Sequence, residues 1–331
     1  MIRFGVVGTN WITESFIEAA RTITDFQLVA VYSRTEEKAK EFAEKHDVKT
    51  TFTSLEEMAQ SKDIDAVYIA SPNSLHASQA CLFMNNGKHV LCEKPLASNS
   101  KEGQFMIDTA KRNNVLLMEA LKTTLTPNFQ VIKENLHKIG KIRRYTASYC
   151  QYSSRYDAYK AGTVLNAFDP KFSNGSLMDI GIYCIYPLVV LFGEPKEVKA
   201  SGYKLASGVD GEGSLLLTYD DMDAVIMHSK ISNSYLPSEI QGEDGTIIID
   251  KVNPPEHIEI KYRDGSKEVV SIQQDSNSMV YEVAEFIKLL KANQLESSIN
   301  SYHNSLITLK ILDEARKQVR VIFPADQQVN L

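Results

Sequence analysis

In two stretches of the sequence, side chains that can exchange protons lie next to apolar runs. In residues 89–95, HVLCEKP, an apolar run ends in a charged pair that contains Lys94. In residues 174–187, NGSLMDIGIYCIYP, the carboxylate of Asp179 and the phenol of Tyr183 stand four positions apart. An ammonium, a carboxylate and a phenol can each hold or transfer a proton when their surroundings shift the pKa. Lys94, Asp179 and Tyr183 are therefore the candidate catalytic residues.

The strand before Lys94 determines where this lysine points. The apolar run at 90–92 predicts a buried parallel strand that is stopped by Pro95. Ligands of open α/β sheets bind outside the carboxyl ends of the strands, so the strand directs Lys94 at a ligand. Pro95 also biases the Lys94 backbone towards an extended conformation. An isolated Glu-Lys-Pro is equally consistent with a solvated lysine, but the neighbouring motifs favour ligand binding.

Asp179 and Tyr183 share one face of a predicted apolar helix, because residues four apart lie one above the other. Polar groups on such a helix need partners. The partner is either a ligand or, for Tyr183, a backbone carbonyl that accepts a hydrogen bond from the hydroxyl. We expect Pro187 to kink this helix, which continues to Phe192.

The beginning of the chain predicts a strand, a tight turn and an amphipathic helix, which is the context of a dinucleotide-binding loop. Of the three glycines of G-x-G-x-x-G only Gly8 is present, and Asn10 and Thr13 occupy the other two positions. Asn10 tolerates a left-handed backbone, so a phosphate can still be held. A plain strand–helix turn explains the motif as well. The expected cofactor contacts here are Gly8, Thr9, Asn10, Trp11 and Ile12.

The end of the second predicted strand, 26–32, indicates which dinucleotide binds. Asp25 precedes this strand and lies at the wrong edge to bind ribose hydroxyls. Ser33, Arg34 and Lys38 lie at the correct edge, and an arginine gives a 2′-phosphate a bidentate contact. These residues favour NADP, with NAD possible. The alternative is that Arg34 opens the next helix and stacks on the adenine.

Strands and helices alternate through the first third of the chain, which predicts a doubly wound parallel sheet of six strands. The last of these strands is expected at 115–118, with Glu119 at its end. Residues 1–121 are thus predicted to form a Rossmann domain. Residues 122–331 are predicted to form an α+β domain with a large open, mostly antiparallel sheet, whose C-terminal helix is a candidate to pack back on the first domain.

Composition limits the kinds of partner and compartment. The formal charge is −6, and no basic run exceeds two residues, which argues against a nucleic-acid or anionic-membrane surface. The four cysteines lack C-x-x-C spacing and the seven histidines lack ligand spacing, so we expect reduced thiols and no metal site. A strand that begins at residue 2 leaves no room for a signal peptide, and no apolar run approaches membrane-spanning length. We expect a cytoplasmic protein.

Four motifs occur in the order of the predicted elements: Gly8-Thr9-Asn10-Trp11-Ile12, Ser71-Pro72-Asn73-x-x-His76, Glu93-Lys94-Pro95 and Gly175-x-x-x-Asp179-x-Gly181-x-Tyr183. Together they resemble the glucose-fructose oxidoreductase, inositol dehydrogenase and rhizopine catabolism (Gfo/Idh/MocA) family. Tyr183 makes the chain more similar to the glucose-fructose oxidoreductase and dimeric dihydrodiol dehydrogenase branch than to inositol dehydrogenase.

The resemblance implies roles for the motif residues. It implies that Ser71, Pro72, Asn73, His76 and Glu93 lie at the nicotinamide end of the cofactor. It further implies that Lys94 lies between nicotinamide and substrate, and that Asp179 and Tyr183 approach the substrate. The C-terminal sheet is expected to form a homodimer or tetramer.

The implied chemistry is hydride transfer between nicotinamide and a sugar, polyol or cyclic diol. A free phenol has a pKa of about 10, and a neighbouring ammonium lowers it, so Lys94 would assist Tyr183 as proton donor or acceptor. Asp179 would orient either the substrate hydroxyl or Lys94. The alternatives are a non-catalytic dinucleotide-binding regulator and an NAD-dependent glycoside hydrolase of the same fold.

Two segments in which the family varies leave the substrate open. Residues 122–125, KTTL, stand where family members often have an aromatic–arginine segment, and Lys122 is either a substrate contact or an exposed lysine. Residues 153–174 form either a loop that covers the substrate or an ordinary surface connection.

Overall fold

A computed structural model describes residues 1–327 of the chain. The strands are β1 (Ile2–Val7), β2 (Phe26–Tyr32), β3 (Thr50–Phe52), β4 (Ala66–Ile69), β5 (His89–Glu93), β6 (Leu117–Ala120), β7 (Ile142–Cys150), β8 (Glu197–Lys204), β9 (Asp210–Thr218), β10 (Asp223–Ser229), β11 (Ser238–Gly242), β12 (Gly245–Ile249), β13 (Ile258–Tyr262) and β14 (Lys267–Val269). The helices are α1 (Trp11–Ala20), α2 (Glu36–Lys45), α3 (Leu55–Gln60), α4 (His76–Asn85), α5 (Ser100–Asn113), α6 (Pro127–Asn135), α7 (Ser154–Lys160), α8 (Ile182–Phe192), α9 (Met279–Lys291) and α10 (Tyr302–Val319).

The described chain forms two compact units. The first contains Met1–Lys122 and Asp275–Ser305, and the second contains Thr123–Gln274 and the segment that begins at Leu306. The sequence-based boundary leaves 275–305 in the second domain, whereas in the structure this segment groups with the first unit. The reason is the apolar face of α9, which packs on α1 and brings the ring of Phe286 to 5.8 Å from that of Phe4.

The first unit confirms the predicted doubly wound sheet. Its six strands are all parallel and lie in the order β3-β2-β1-β4-β5-β6. The order reverses between β1 and β4, and in sheets of this topology the ligand crevice opens at that switch point. β4 and the last four residues of β5 are fully buried, as continuous apolar strands between two helix layers should be.

The sixth strand begins two residues later than the sequence indicates. Residues before Leu117 are occupied by the turn that follows α5, since the N–H of Val115 donates to the carbonyl of Ala110. The N–H of Leu116 is bound instead by the ring nitrogen Nδ1 of His89, at 2.9 Å. Glu119 therefore lies inside β6 rather than beyond it.

The second unit contains an eight-stranded sheet in the order β14-β13-β12-β11-β7-β10-β9-β8. All neighbours are antiparallel except β7 and β10, which run parallel. This confirms the predicted mostly antiparallel sheet. The helix that carries Asp179 packs on β10, and the segment 153–174 contains α7 and short 3-10 turns.

One stretch of the described chain, Pro170–Phe192, is long and apolar enough to cross a membrane by length and composition alone. Polar residues, among them Lys171, Asn174 and Asp179, interrupt this stretch, so it is not an uninterrupted apolar run. Inside the second unit 78% of its most apolar window is buried, which is the environment of a core helix.

Cys81, Cys92 and Cys184 are free and buried, and Cys150 is free and half-buried. This confirms the expectation of reduced thiols. Within residues 1–327, no group of three or more histidine, cysteine, aspartate or glutamate side chains is placed to bind a metal ion.

Candidate active site

Gly8 makes the turn after β1 possible. Its φ angle is +114°, and a Cβ atom at this position would meet the carbonyl oxygen of Ala70 at 2.9 Å. Only glycine combines this conformation with so close an approach to the neighbouring strand end. Among residues 1–327, the hydroxyl Oγ of Ser71, at the same edge of the sheet, is buried without a hydrogen-bond partner. A closely packed turn beside an unpaired buried hydroxyl fits a bound dinucleotide phosphate.

Asn10 does not use the left-handed backbone that an asparagine tolerates. Its φ angle is −102°, in the extended region. The side chain instead caps α1, because Oδ1 accepts hydrogen bonds from the N–H groups of Ile12 at 3.0 Å and Thr13 at 3.2 Å. Its Nδ2 donates to the carbonyl of Ala70 at 2.9 Å. Asn10 thus joins the β1 turn to the β4 end through its side chain.

An adenosine site requires accessible side chains after β2. Arg34 and Lys38 are exposed, whereas Ser33 is buried. Asp25, at the opposite end of β2, accepts a hydrogen bond from Lys291 at 2.6 Å. The sequence argument that Asp25 lies at the wrong edge of the sheet is therefore confirmed.

His76 links two loops at the carboxyl edge of the sheet. Its ring is buried, with Nδ1 2.9 Å from the carbonyl oxygen of Pro95 and Nε2 2.9 Å from that of Ser71. Burial lowers the pKa of His76, and the charge of Lys94 lowers it further. Because both ring nitrogens face protein carbonyls, His76 fixes the loop after β4 to the loop after β5. Asn73 is half-buried and lies in the short turn of the loop after β4, just before α4.

The carboxylate of Glu93 is turned inward at the end of β5. Its Oε1 accepts a hydrogen bond from the hydroxyl of Tyr68 at 2.6 Å, and its Oε2 accepts one from the N–H of Lys94 at 3.2 Å. The Tyr68 ring is held in turn by stacking on Phe16, with centroids 3.8 Å apart. Burial raises the pKa of Glu93, and the positive charges of Lys94 and Lys122 oppose that rise. Glu93 therefore fixes the backbone of Lys94, whose side chain is half-buried.

Glu119 supports the same turn from β6. Its Oε1 accepts a hydrogen bond from the N–H of Leu96 at 2.9 Å, and its Oε2 accepts one from the hydroxyl of Ser305 at 2.6 Å. Burial raises the pKa of Glu119 to about 7. The sequence indicated only that Glu119 lies near a strand end. Its role depends on Ser305, which is 186 residues away.

A third buried carboxyl group in the first unit is that of Glu282 on α9. The side chain is fully buried, and neither carboxylate oxygen has a hydrogen-bond partner within residues 1–327. Burial raises the pKa of Glu282 well above its ordinary value, and the negative charge of Glu93 adds to the rise.

In the second unit, the helix that carries Asp179 and Tyr183 is anchored at its beginning by the sheet. The carboxylate Oδ2 of Asp210 accepts a hydrogen bond from the N–H of Leu177 at 2.6 Å. Gly175 has a φ angle of +135°, and a Cβ atom there would meet Oδ1 of Asp210 at 2.3 Å. Burial raises the pKa of Asp210 to about 6.

The helix itself does not begin with α-helical geometry. Residues Leu177–Gly181 form a π-helical turn, which continues directly into α8. Such turns occur frequently at functional sites. Asp179 lies in this turn and is half-buried, whereas Tyr183 lies in α8 and is nearly buried. The ring of Tyr183 is 5.9 Å from the ring of Tyr149 on β7.

The structure adds Lys230 to these residues. Its ammonium Nζ donates a hydrogen bond to Oδ2 of Asp179. The sequence-based candidates did not include this lysine. No local signal indicates it, because Lys230 follows β10 in an ordinary loop and lies 51 residues from its partner.

A doubly wound sheet with a tight glycine turn at its switch point and a lysine at its carboxyl edge is the arrangement typical of nicotinamide-dependent oxidoreductases. The chain matches the oxidoreductase family Gfo/Idh/MocA, with its NAD-binding Rossmann fold, over residues 2–121. It matches the C-terminal domain of that family over residues 130–248. The chain belongs to the Gfo/Idh/MocA family, as its motifs predicted, and is an NAD(P)-dependent oxidoreductase.

Relatives and solved structures agree with this assignment. The scyllo-inositol 2-dehydrogenase (NADP(+)) IolU of Bacillus subtilis (strain 168) is 63% identical over 327 residues, which are 99% of this chain and 100% of that protein. The trans-1,2-dihydrobenzene-1,2-diol dehydrogenase of Danio rerio is 34% identical, covering 99% of each chain. A solved structure with the same fold is that of a 3-ketoreductase from Actinomadura kijaniata in complex with TDP-benzene and NADP. It has a TM-score of 0.83 to this chain at 23% sequence identity, and the match covers 97% of this chain and 99% of that one.

Proposed function

We propose that the protein is an NADP-dependent dehydrogenase that oxidises a secondary hydroxyl of a cyclic polyol. The observation that carries the proposal is the fixation of Lys94 at the carboxyl edge of a nucleotide-binding sheet by Glu93 and Glu119. The choice of substrate class is supported by the similarity to a scyllo-inositol dehydrogenase along the whole chain. The dihydrodiol dehydrogenase relative also acts, by its name, on a cyclic diol.

The residues expected to hold the dinucleotide follow the edge of the sheet. The β1 turn, from Gly8 through Thr9, Asn10, Trp11 and Ile12, would receive the pyrophosphate. Ser33, Arg34 and Lys38 would receive the 2′-phosphate, and their charge favours NADP over NAD. The nicotinamide end would lie along Ser71, Pro72, Asn73, His76 and Glu93. NADP, when bound, supplies the hydride acceptor.

The chain's own catalytic work is proton transfer and orientation. As the substrate C–H bond breaks, the substrate hydroxyl gives its proton to the phenol oxygen of Tyr183, which must first be ionised. A lysine ammonium nearby favours that ionised form, and this is the role of Lys94. The carboxylate of Asp179 orients the substrate by accepting a hydrogen bond from one of its hydroxyl groups.

The proposal extends to the domains, the subunit arrangement and the compartment. Residues 1–121 would bind the cofactor, and residues 122–331 would bind the substrate and pair subunits. Large side chains on strands of the second sheet stay exposed, among them Tyr203 and Val269. A second subunit that packs on this sheet would remove such side chains from water, which supports a homodimer or tetramer.

The free cysteines support a cytoplasmic location.

The test is the absorbance at 340 nm with NADP or NAD and a panel of inositols, cyclic trans-diols and aldoses. We expect the wild type to reduce NADP with at least one cyclic polyol. Lys94→Met should lower kcat by at least about 10²-fold, since loss of a group that assists proton transfer costs about 10²–10⁴-fold. Its affinity for NADPH, measured by fluorescence, should stay within about threefold.

Lys101→Met is the matched control, because Lys101 is an exposed lysine of the same unit on α5. It should retain wild-type kcat. Bound NADP without turnover of any polyol, diol or aldose would contradict the proposed function and favour a non-catalytic dinucleotide-binding protein.

A further inference from the structure

Lys230 has a backbone that is fixed on both sides. It follows the last residue of β10, and its N–H donates to the carbonyl of Gly211 at 2.9 Å. Its own carbonyl accepts a hydrogen bond from the N–H of Ser153, also at 2.9 Å. The side chain therefore starts from a rigid point of the sheet rather than from a mobile loop.

The ammonium of Lys230 lies inside the protein, whereas its partner reaches the surface. The Lys230 side chain is 6% exposed and the Asp179 side chain is 32% exposed. Besides Asp179, the Nζ atom contacts the ring face of Phe168, whose centroid is 5.5 Å away. The cation thus lies behind the carboxylate, which leaves part of the Asp179 side chain accessible to a ligand.

A structural role alone does not account for this pair. A buried lysine loses hydration, and an apolar side chain of similar size often serves stability as well or better. The carboxylate stands on a π-helical turn, a geometry that occurs frequently at functional sites. It also belongs to the motif that identifies the family. A cation placed behind such a carboxylate keeps it ionised and fixes the direction of its lone pairs.

We propose that Lys230 is a positioning residue that holds Asp179 ready to accept a hydrogen bond from a second substrate hydroxyl, next to the one that reacts. The inference rests on the proposed function and extends it to specificity. The site would prefer vicinal diols and polyols over alcohols with a single hydroxyl, because a ligand that covers the Asp179 carboxylate without donating a hydrogen bond to it removes water from the carboxylate and gives nothing in return.

The test compares wild type, Lys230→Met and Lys230→Arg with scyllo-inositol, trans-cyclohexane-1,2-diol and cyclohexanol. Kd values are measured by calorimetry on the NADPH-loaded protein, together with KM and kcat. We expect Lys230→Met to weaken binding of the two polyhydroxy compounds by about 10- to 100-fold, the range for losing a hydrogen bond to a charged group. Cyclohexanol binding should change less than threefold, and Lys230→Arg should restore at least part of the loss.

Lys199→Met is the control, because Lys199 lies on β8 of the same sheet and is 65% exposed. It should match wild type in every measurement. An equal loss for all three compounds, or a lower Tm with unchanged Kd values, would overturn the inference and leave Lys230 a structural residue.

The same data separate this inference from the proposed function. If the wild type binds scyllo-inositol but oxidises no compound of the panel, the proposed function is overturned. The ratio of the Kd values of Lys230→Met and wild type for each compound still decides the role of Lys230. If the wild type binds none of the three compounds, the inference about Lys230 is overturned, and the proposed function falls with it when no other polyol, diol or aldose of the panel is oxidised.

Discussion

The two units hold their functional side chains by different physical means. At the sheet edge of the first unit, carboxyl groups are buried and bound by neutral donors, as Glu119 is by the N–H of Leu96 and the hydroxyl of Ser305. In the second unit, a carboxylate that reaches the surface is paired with a buried ammonium, as Asp179 is with Lys230. Neutral hydrogen-bond donors hold the position of the side chain or backbone segment that they bind. A charged donor also favours the ionised form of a carboxylate.

This difference separates positioning from recognition. Burial raises the pKa values of Glu93 and Glu119 in the first unit, and these two residues bind the turn that carries Lys94. Such groups contribute rigidity and pH-dependent stability. In the proposed mechanism, the Asp179–Lys230 pair keeps a charge accessible to a ligand and serves recognition. Four substitutions test the distinction, from the largest expected effect to the smallest.

Replacing Tyr183 by phenylalanine should show that the second unit supplies the chemistry. Loss of the phenol hydroxyl removes the proposed proton acceptor while the ring contact with Tyr149 remains. We expect kcat for a cyclic polyol to fall by about 10²–10⁴-fold, with NADP affinity within about threefold. Tyr219→Phe, in which the lost hydroxyl donates to the carbonyl of Gly193, should retain kcat within about threefold. Equal kcat for both variants would remove Tyr183 from the mechanism.

Replacing Glu119 by glutamine should show that the acids of the first unit act through stability. The folded pKa of about 7 lies above the unfolded value of about 4.3, so folding favours the protonated form. This contribution to stability is complete below about pH 4.3 and is lost as the pH rises through 7. Glutamine imitates the protonated acid at every pH.

The measurement is urea unfolding of wild type and Glu119→Gln between pH 5 and 8. The free energy of unfolding of the wild type, relative to the variant, should fall by up to about 3 kcal/mol over this range. Glu37→Gln, at an exposed site on α2, is the control and should follow the wild type. Parallel curves for wild type and Glu119→Gln would contradict a raised pKa.

Replacing Arg34 by alanine tests whether an exposed charge in the first unit serves recognition in the same way as the pair in the second. Loss of a charge-assisted hydrogen bond costs about 1.5–3 kcal/mol, so the Kd for NADP should rise by about 10- to 100-fold. The Kd for NAD should change little. Lys40→Ala, which removes an exposed cation paired with Glu36 on α2, is the control. An equal loss for both dinucleotides would favour stacking on the adenine.

Replacing Glu282 by leucine should give the smallest effect. The carboxyl group is fully buried without a hydrogen-bond partner in the described chain, so its removal relieves a desolvation cost. We expect the free energy of unfolding to rise by about 1 kcal/mol at pH 7. Glu282→Gln, which keeps a neutral polar group, should remain within about 0.5 kcal/mol of wild type. Strong destabilisation by leucine would mean that Glu282 is a required hydrogen-bonding group.

The sequence predicted the features that depend on local pattern. The strand before Lys94, the turn at Gly8 and the helix that follows are each determined by a few consecutive residues, and the structure contains all three. The six-stranded parallel sheet follows from the alternation of such units, because crossover connections have a fixed hand.

Features that depend on residues far apart in the chain were missed. Glu119 gains its role from Ser305, and Asp179 gains its partner from Lys230, and neither pairing leaves a local pattern. The π-helical turn was also missed, because the sequence around Asp179 has ordinary helical periodicity. The capping role of Asn10 was also missed; it requires an extended backbone rather than the left-handed one that an asparagine tolerates.

The central claim is that Lys94 and Tyr183 act as one unit on the same substrate. A double-mutant cycle of kcat/KM with Lys94→Met, Tyr183→Phe and the double variant tests it most directly, with NADP and a cyclic polyol. Groups that act together are strongly non-additive, so we expect the double variant to be about as slow as the slower single variant. Losses that multiply, so that the double variant is slower by the product of the two single effects, would contradict the claim.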